Sequence, residues 1–264
     1  MFEHHKRALD KLTEALSADS SILSIITAGS VAQGIARESS DVDVYLVVDD
    51  ESYAERQKSH NLSYINRDKV ICDYEGGYID GKIINLGFLE AAAERGSEPT
   101  RASFIGSQAW YSRIPDLDAL LAKIPVYPEK NYEKNIRDFT AQIMLYGFYF
   151  ADEAAKKDNL YLLTHSASIL ALFGSRIVLA RNRILFPCHK SLMKAVEKAP
   201  EKPDGFIEMV NDLLTAPTGD KCKAFAGAVL GFLPPTFAPE LSTSIFMENN
   251  EWNWLDGEPP IGDR

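Results

Sequence analysis

The chain has 264 residues, enough for one large domain or two ordinary ones, and its 45% apolar and 25% charged residues mark a globular protein rather than a disordered or fibrous one. With 28 basic against 38 acidic side chains the net charge is −10, which repels phosphate backbones and argues against a stable nucleic-acid partner. Three cysteines, Cys72, Cys188 and Cys222, show no CxxC pair and no zinc-ligand spacing, and the charged N-terminus lacks the apolar core of a secretory signal, so a reducing cytoplasm is expected.

Leu9, Leu12 and Leu16, three and four apart, predict a helix over residues 2–16 with one apolar stripe. The isoleucine-rich residues 21–27 read as a strand that runs into Ala28-Gly29-Ser30, where the chain must turn, and residues 42–48 read as the next strand. A polar helix is expected over 51–60. Two strands follow, 70–74 and 78–88, joined as a hairpin through Glu75-Gly76-Gly77. Helices at 89–95 and around 99–105 and an apolar run at 109–114 complete a mixed α/β half.

Ile124-Pro125-Val126-Tyr127-Pro128 makes a rigid connector, because proline fixes φ and has no amide hydrogen, and it divides residues 1–125 from 126–264. Beyond it the pattern is helical over 132–157, 160–183, 189–198, 203–214 and 221–232. The uncharged run 159–175 is too short for a membrane span, contains Thr164, His165, Ser166 and Ser168, and reads as a buried helix. The last thirty residues, with Pro234, Pro235, Pro239, Pro259 and Pro260, read as an aperiodic tail packed through Phe246, Trp252 and Trp254. The expected fold class is α+β: a mixed sheet with helices, followed by an all-α bundle.

The chemistry concentrates in residues 28–48. A glycine straight after a strand permits a sharp turn, and the serine behind it opens a helix whose unpaired amides and positive dipole end attract phosphate. Gly29 and Ser30 fill these positions, and Ser30 adds a hydroxyl donor. Asp41 and Asp43 stand two apart at the head of a strand, which directs both carboxylates to one face while Val42 and Val44 point to the core. Two unit charges roughly 4 Å apart at an effective dielectric near 20 repel by about 4 kcal/mol, so the pair asks for a cation, and oxygen-only ligands select Mg²⁺. Mg²⁺ held by carboxylates and substrate phosphates is the arrangement of phosphoryl and nucleotidyl transfer.

Gly-Ser after a strand, a helix, and Asp-x-Asp opening the next strand eleven residues beyond Ser30 together resemble the signature of the DNA polymerase β nucleotidyltransferase superfamily. The resemblance implies that Gly29 and Ser30 contact phosphates and that Asp41 and Asp43 hold metal at the nucleotide. It also implies a third acidic residue on a later strand, which completes the metal shell or deprotonates the acceptor. Asp80 is chosen for that role, with Asn85 as the rival position and Asp73 and Glu75 as further candidates.

The layout of an α/β half followed by helices is similar to that of the antibiotic nucleotidyltransferases acting on kanamycin, streptomycin and lincosamides. That similarity implies an adenylyltransferase with one or two Mg²⁺ ions and ATP or another nucleoside triphosphate as co-substrate. A nucleoside monophosphate would pass to a small-molecule acceptor such as an aminoglycoside-like antibiotic, with release of pyrophosphate. A protein that nucleotidylates a partner, or a silent nucleotide-binding relative, would keep the same Gly-Ser signature. A homodimer is compatible with this reading; a membrane is not expected.

Other groups read better as structure. Cys188 and His189 are chain neighbours that point apart, and Pro187 interrupts the Arg183-to-His189 spacing seen in some RNA-cleaving toxins. His165 suits a hydrogen-bonded core position and His4 and His5 a solvated terminus, while Tyr146, Phe148, Tyr149 and Phe150 with Phe139 suit packing between helices. Glu133 and Asp138 on the long helix read as a solvated face with acceptor binding as the alternative, and Arg37 as a turn residue or a triphosphate contact.

Overall fold

A computed structural model describes residues 1–234, 238–258 and 260–261; Pro235 and Pro259 of the expected tail lie outside the described residues. The chain divides into two units, Met1–Tyr127 and Pro128–Arg264.

The first unit is built on five strands: β1 (Ile22–Thr27), β2 (Val42–Val48), β3 (Ser63–Asn66), β4 (Ile79–Ile84) and β5 (Ala109–Ser112), in the order β3-β4-β2-β1-β5. β2 and β4 run parallel, and the other neighbours are antiparallel. From Val44 to Val48 every residue of β2 is buried, which requires both faces of the sheet to be covered. On one face Ala8, Leu9 and Leu12 of helix α1 (Glu3–Leu16) pack against Ile25, Val44 and Leu46. On the other, Ile26, Tyr45, Val47 and Ile84 meet Leu89, Phe104 and Leu117 from the helical stretch behind β4.

The remaining helices of this unit are α2 (Gly29–Ala32), α3 (Asp50–Lys58), α4 (Leu86–Arg95), α5 (Glu98–Ser103) and α6 (Leu117–Leu121). Asp49 caps α3 and Asn85 caps α4, each carboxylate or amide oxygen accepting a backbone amide three residues on. Asn85 thereby ends the expected strand at Ile84. Arg101 is buried at 4% exposure yet satisfied, donating to the carbonyls of Ala93, Gly96 and Ile124.

The hairpin differs from expectation. The partner of β4 is Ser63–Asn66, an edge strand, and residues 70–74 are not a strand. Ile71 and Cys72 are buried beneath the sheet while Val70 is 72% exposed, so this apolar run packs as a loop rather than alternating across a pleat.

The second unit is helical in its regular structure among the described residues, as the α+β class requires. It comprises α7 (Tyr132–Met144), a π-helical stretch Leu145–Phe150, α8 (Ala151–Lys156), α9 (Leu160–Arg181), α10 (Leu192–Lys198), α11 (Phe206–Thr215), α12 (Gly219–Phe232) and α13 (Ser242–Asn250). Gly147 in the π stretch lets α12 approach, since a Cβ there would collide with Ala226. Helix α9 is 22 residues long and ends two residues short of the expected helix over 160–183. It is long and apolar enough to cross a membrane, but half of its most apolar window is buried inside the structure. The expected tail contains α13, anchored by buried Ile245 and Phe246.

Candidate metal and phosphate site

The site begins where β1 stops. The Ala28 amide donates to the Asp43 carbonyl at 2.9 Å and the Thr27 amide to the Gln108 carbonyl at 2.9 Å, so the turn into α2 is tied to both neighbouring segments. Gly29 has φ +61°, and a Cβ built on it would enter the Asp43 carboxylate. Glycine is required there on both counts, and the result lays the opening turn of α2, with Ser30, directly against Asp43.

Parallel pairing then supplies the third acid. Asp43 on β2 is the register partner of Asp80 on β4. Asp41 lies just before β2, and one carboxylate oxygen from each of Asp41, Asp43 and Asp80 falls within 4.8 Å of the others. Asp80 is therefore a strand residue, not the corner of an Asp-Gly turn. Three oxygen donors this close, with no nitrogen or sulfur ligand among them, fit a hard divalent cation.

Tyr78 donates its phenol hydrogen bond to Asp41, and that bond, reinforced by the negative charge of Asp41, raises the Tyr78 pKa. The Val42 amide donates to the Tyr78 carbonyl at 3.0 Å, which fixes this tyrosine to the strand that carries the aspartates. Beneath the carboxylates is a hollow of about 230 Å³ lined in part by Gly29, Gln33, Asp43, Asp80, Lys82 and Ser103. Its floor is rigid: Tyr45 stacks on Phe104 at 4.4 Å between centroids and hydrogen-bonds Ser103 Oγ at 2.7 Å.

The loop that delivers Asp41 is held from the far side. The Ser40 carbonyl accepts the Tyr74 hydroxyl at 2.8 Å and His5 Nε2 at 3.2 Å, and the Glu38 carbonyl accepts His4 Nε2 at 2.9 Å. His5 is fully buried and its ring packs edge-on to Tyr74 and His4, contrary to the expected solvated terminus. Burial depresses its pKa.

The rival candidates are engaged elsewhere. Asn85, besides capping α4, donates to Asp50 at 2.8 Å. Asp73 is held low in pKa by hydrogen bonds from Lys11 and Arg7 on α1. Glu75 lines a separate hollow with Glu38 and Phe2. In the helical unit, Arg183 grips Glu129 with two nitrogens and lies 3.6 Å from the Tyr132 ring centroid, so its partner is Glu129 and not His189. His165 meets the Tyr146 hydroxyl at 3.3 Å, and Asp138 pairs with Arg137 at 2.8 Å.

Residues 9–86, from within α1 to the first residue of α4, match the family model described as a nucleotidyltransferase domain, of the DNA polymerase β-like kind. The match lies within the first unit, and all three clustered aspartates fall inside it. Among solved structures the chain is similar to a nucleotidyltransferase-like protein from Exiguobacterium sibiricum 255-15, with 10% sequence identity over 94% of this chain and 80% of that chain, at a TM-score of 0.48. No curated protein matches the chain at a significant level.

Proposed function

We propose that the protein transfers AMP from Mg-ATP to a small-molecule acceptor and releases pyrophosphate. The observation that carries this reading is the set of three carboxylates within 4.8 Å, hung from two adjoining strands across from the Gly29-Ser30 turn. Asp41 and Asp43 are assigned to hold the metal. When bound, one or two Mg²⁺ ions supply charge neutralisation for the triphosphate and the developing pyrophosphate.

Gly29 and Ser30 would hold phosphate oxygens with main-chain amides and the serine hydroxyl. The acceptor oxygen forms a bond to the α-phosphorus while the bond from that phosphorus to the bridging oxygen of the β-phosphate breaks, and the acceptor proton passes to Asp80. Acceptor recognition is assigned to the helical unit, where a hollow of about 590 Å³ is lined in part by Tyr132, Glu133 and Ile136 together with Lys130, Lys134 and Arg137. The field of the whole chain, at a net charge of −10, favours the approach of a cationic acceptor such as an aminoglycoside.

The test is pyrophosphate release from Mg-ATP across a panel of aminoglycosides, lincosamides and a cell extract. Release is expected only with an acceptor present, and Asp43→Asn should lower it at least about 10²-fold with an unchanged melting temperature, the scale of a lost transition-state charge contact. A variant within about tenfold of wild type would refute the metal-holding role of Asp43. Labelling of a protein band instead of a small molecule would move the acceptor to a partner protein.

A further inference from the structure

We propose that Lys82 is a nucleotide-binding residue of this site, the cation that meets the β and γ phosphates of the triphosphate; this rests on the reading of the site as a nucleotidyl-transfer centre. Lys82 stands two residues after Asp80 on β4, so the pleat sends both side chains from the same face of the sheet. Its register partner is Tyr45, itself two residues after Asp43. Asp43 with Asp80 and Tyr45 with Lys82 are therefore successive rungs of one ladder, and all four residues line the hollow that Gly29 closes.

Of the described residues lining that hollow, Lys82 alone is cationic. Its side chain is exposed, and its ammonium lies 5.7 Å from the centroid of the Tyr45 ring. Among the described residues it makes no salt bridge or hydrogen bond, although carboxylates stand one rung away. A lysine resting on a ring face is held weakly and can swing on its four-carbon stem, which suits a point charge that engages when an anion arrives.

The charge balance asks for it. A triphosphate brings about four negative charges to a site that already holds three carboxylates, and one or two divalent ions leave an excess that a lysine on the same face reduces. The β and γ oxygens also gain charge when they leave as pyrophosphate, so the ammonium stabilises the departing group more than the bound nucleotide.

A structural role would be different: Phe104 covers one face of Tyr45, and the aliphatic stem of Lys82 could serve only to cover that ring. Lys82→Met keeps the stem and removes the charge, and Lys82→Arg keeps the charge. Equilibrium dialysis of Mg-ATP and of AMP against the full chain separates the two roles. The expected result is that Lys82→Met binds Mg-ATP about tenfold more weakly and AMP within about twofold of wild type, with Lys82→Arg recovering most of the loss. Unaltered Mg-ATP binding by Lys82→Met would overturn the role of Lys82 while leaving the function standing. Equal losses for Mg-ATP and AMP with a lowered melting temperature would overturn it in favour of ring packing. Wild type that binds no Mg-ATP, with or without Mn²⁺ in place of Mg²⁺, would sink the nucleotidyl-transfer reading and this proposal together.

Discussion

Gly29 answers to two constraints that reinforce each other: its φ of +61° and the Asp43 carboxylate standing where a Cβ would go. Gly29→Ala is therefore expected to lower stability by about 1–3 kcal/mol through backbone strain and, unlike an ordinary loop mutation, to displace the Asp43 carboxylate from the acidic cluster. Thermal melting with and without Mn²⁺ checks this: wild type should gain stability from the ion and the variant should not. Tyr78→Phe should preserve the fold and weaken divalent binding only several-fold, since it removes one charge-assisted donor from Asp41. Much of this site was legible in the sequence. The turn at Gly29 and the shared face of Asp41 and Asp43 follow from local spacing, because a turn glycine and a two-residue carboxylate repeat are local devices. Choosing Asp80 over Asn85 required the register of a parallel strand, which is set by partners thirty-seven residues apart in the chain. Tyr78 and Lys82 flank Asp80 at two-residue intervals, so the same alternation that nominates Asp80 contains both of them.

At the scale of elements, α1 does more than cover the sheet. Its first turn places His5 beneath the Ser40 carbonyl and so braces the loop that presents Asp41. Burial lowers the His5 pKa, so the folded state prefers the neutral ring. The stability this represents is present above the unfolded value near 6.5 and is lost as pH falls through the lower folded value. Melting temperature should accordingly decline below about pH 6.5, and His5→Gln should flatten that decline while lowering stability at neutral pH. No local pattern announced this burial: a histidine pair in a polar N-terminal segment reads as solvated until Tyr74, nearly seventy residues later, folds over it. The misplaced β3 has a similar cause. Ser63-Tyr64-Ile65-Asn66 is half polar because it is an edge with Ile65 at 58% exposure, whereas Val70-Ile71-Cys72 looks like a strand and serves as a loop with two buried anchors. The helix in the C-terminal tail was obscured by the prolines around it.

For the whole molecule, each unit has an apolar core of its own, and in the first unit two clusters lie on opposite faces of the sheet. Residues 1–127 expressed alone should show a cooperative melting transition and bind Mn²⁺, measured by circular dichroism and by thermal shift with the ion; a non-cooperative melt would show that this unit needs the helices. Within it, β2 is the central strand and β4 its direct neighbour, so the aspartates are fastened to the part of the sheet that opens last. Backbone hydrogens at Ala28 and Val42, bonded across the very rim where the metal would sit, should rank among the slowest to exchange with deuterium. Heating should then erase Mn²⁺ binding and the fold of this unit in one step, with no lower temperature at which the unit is still folded yet unable to hold the ion.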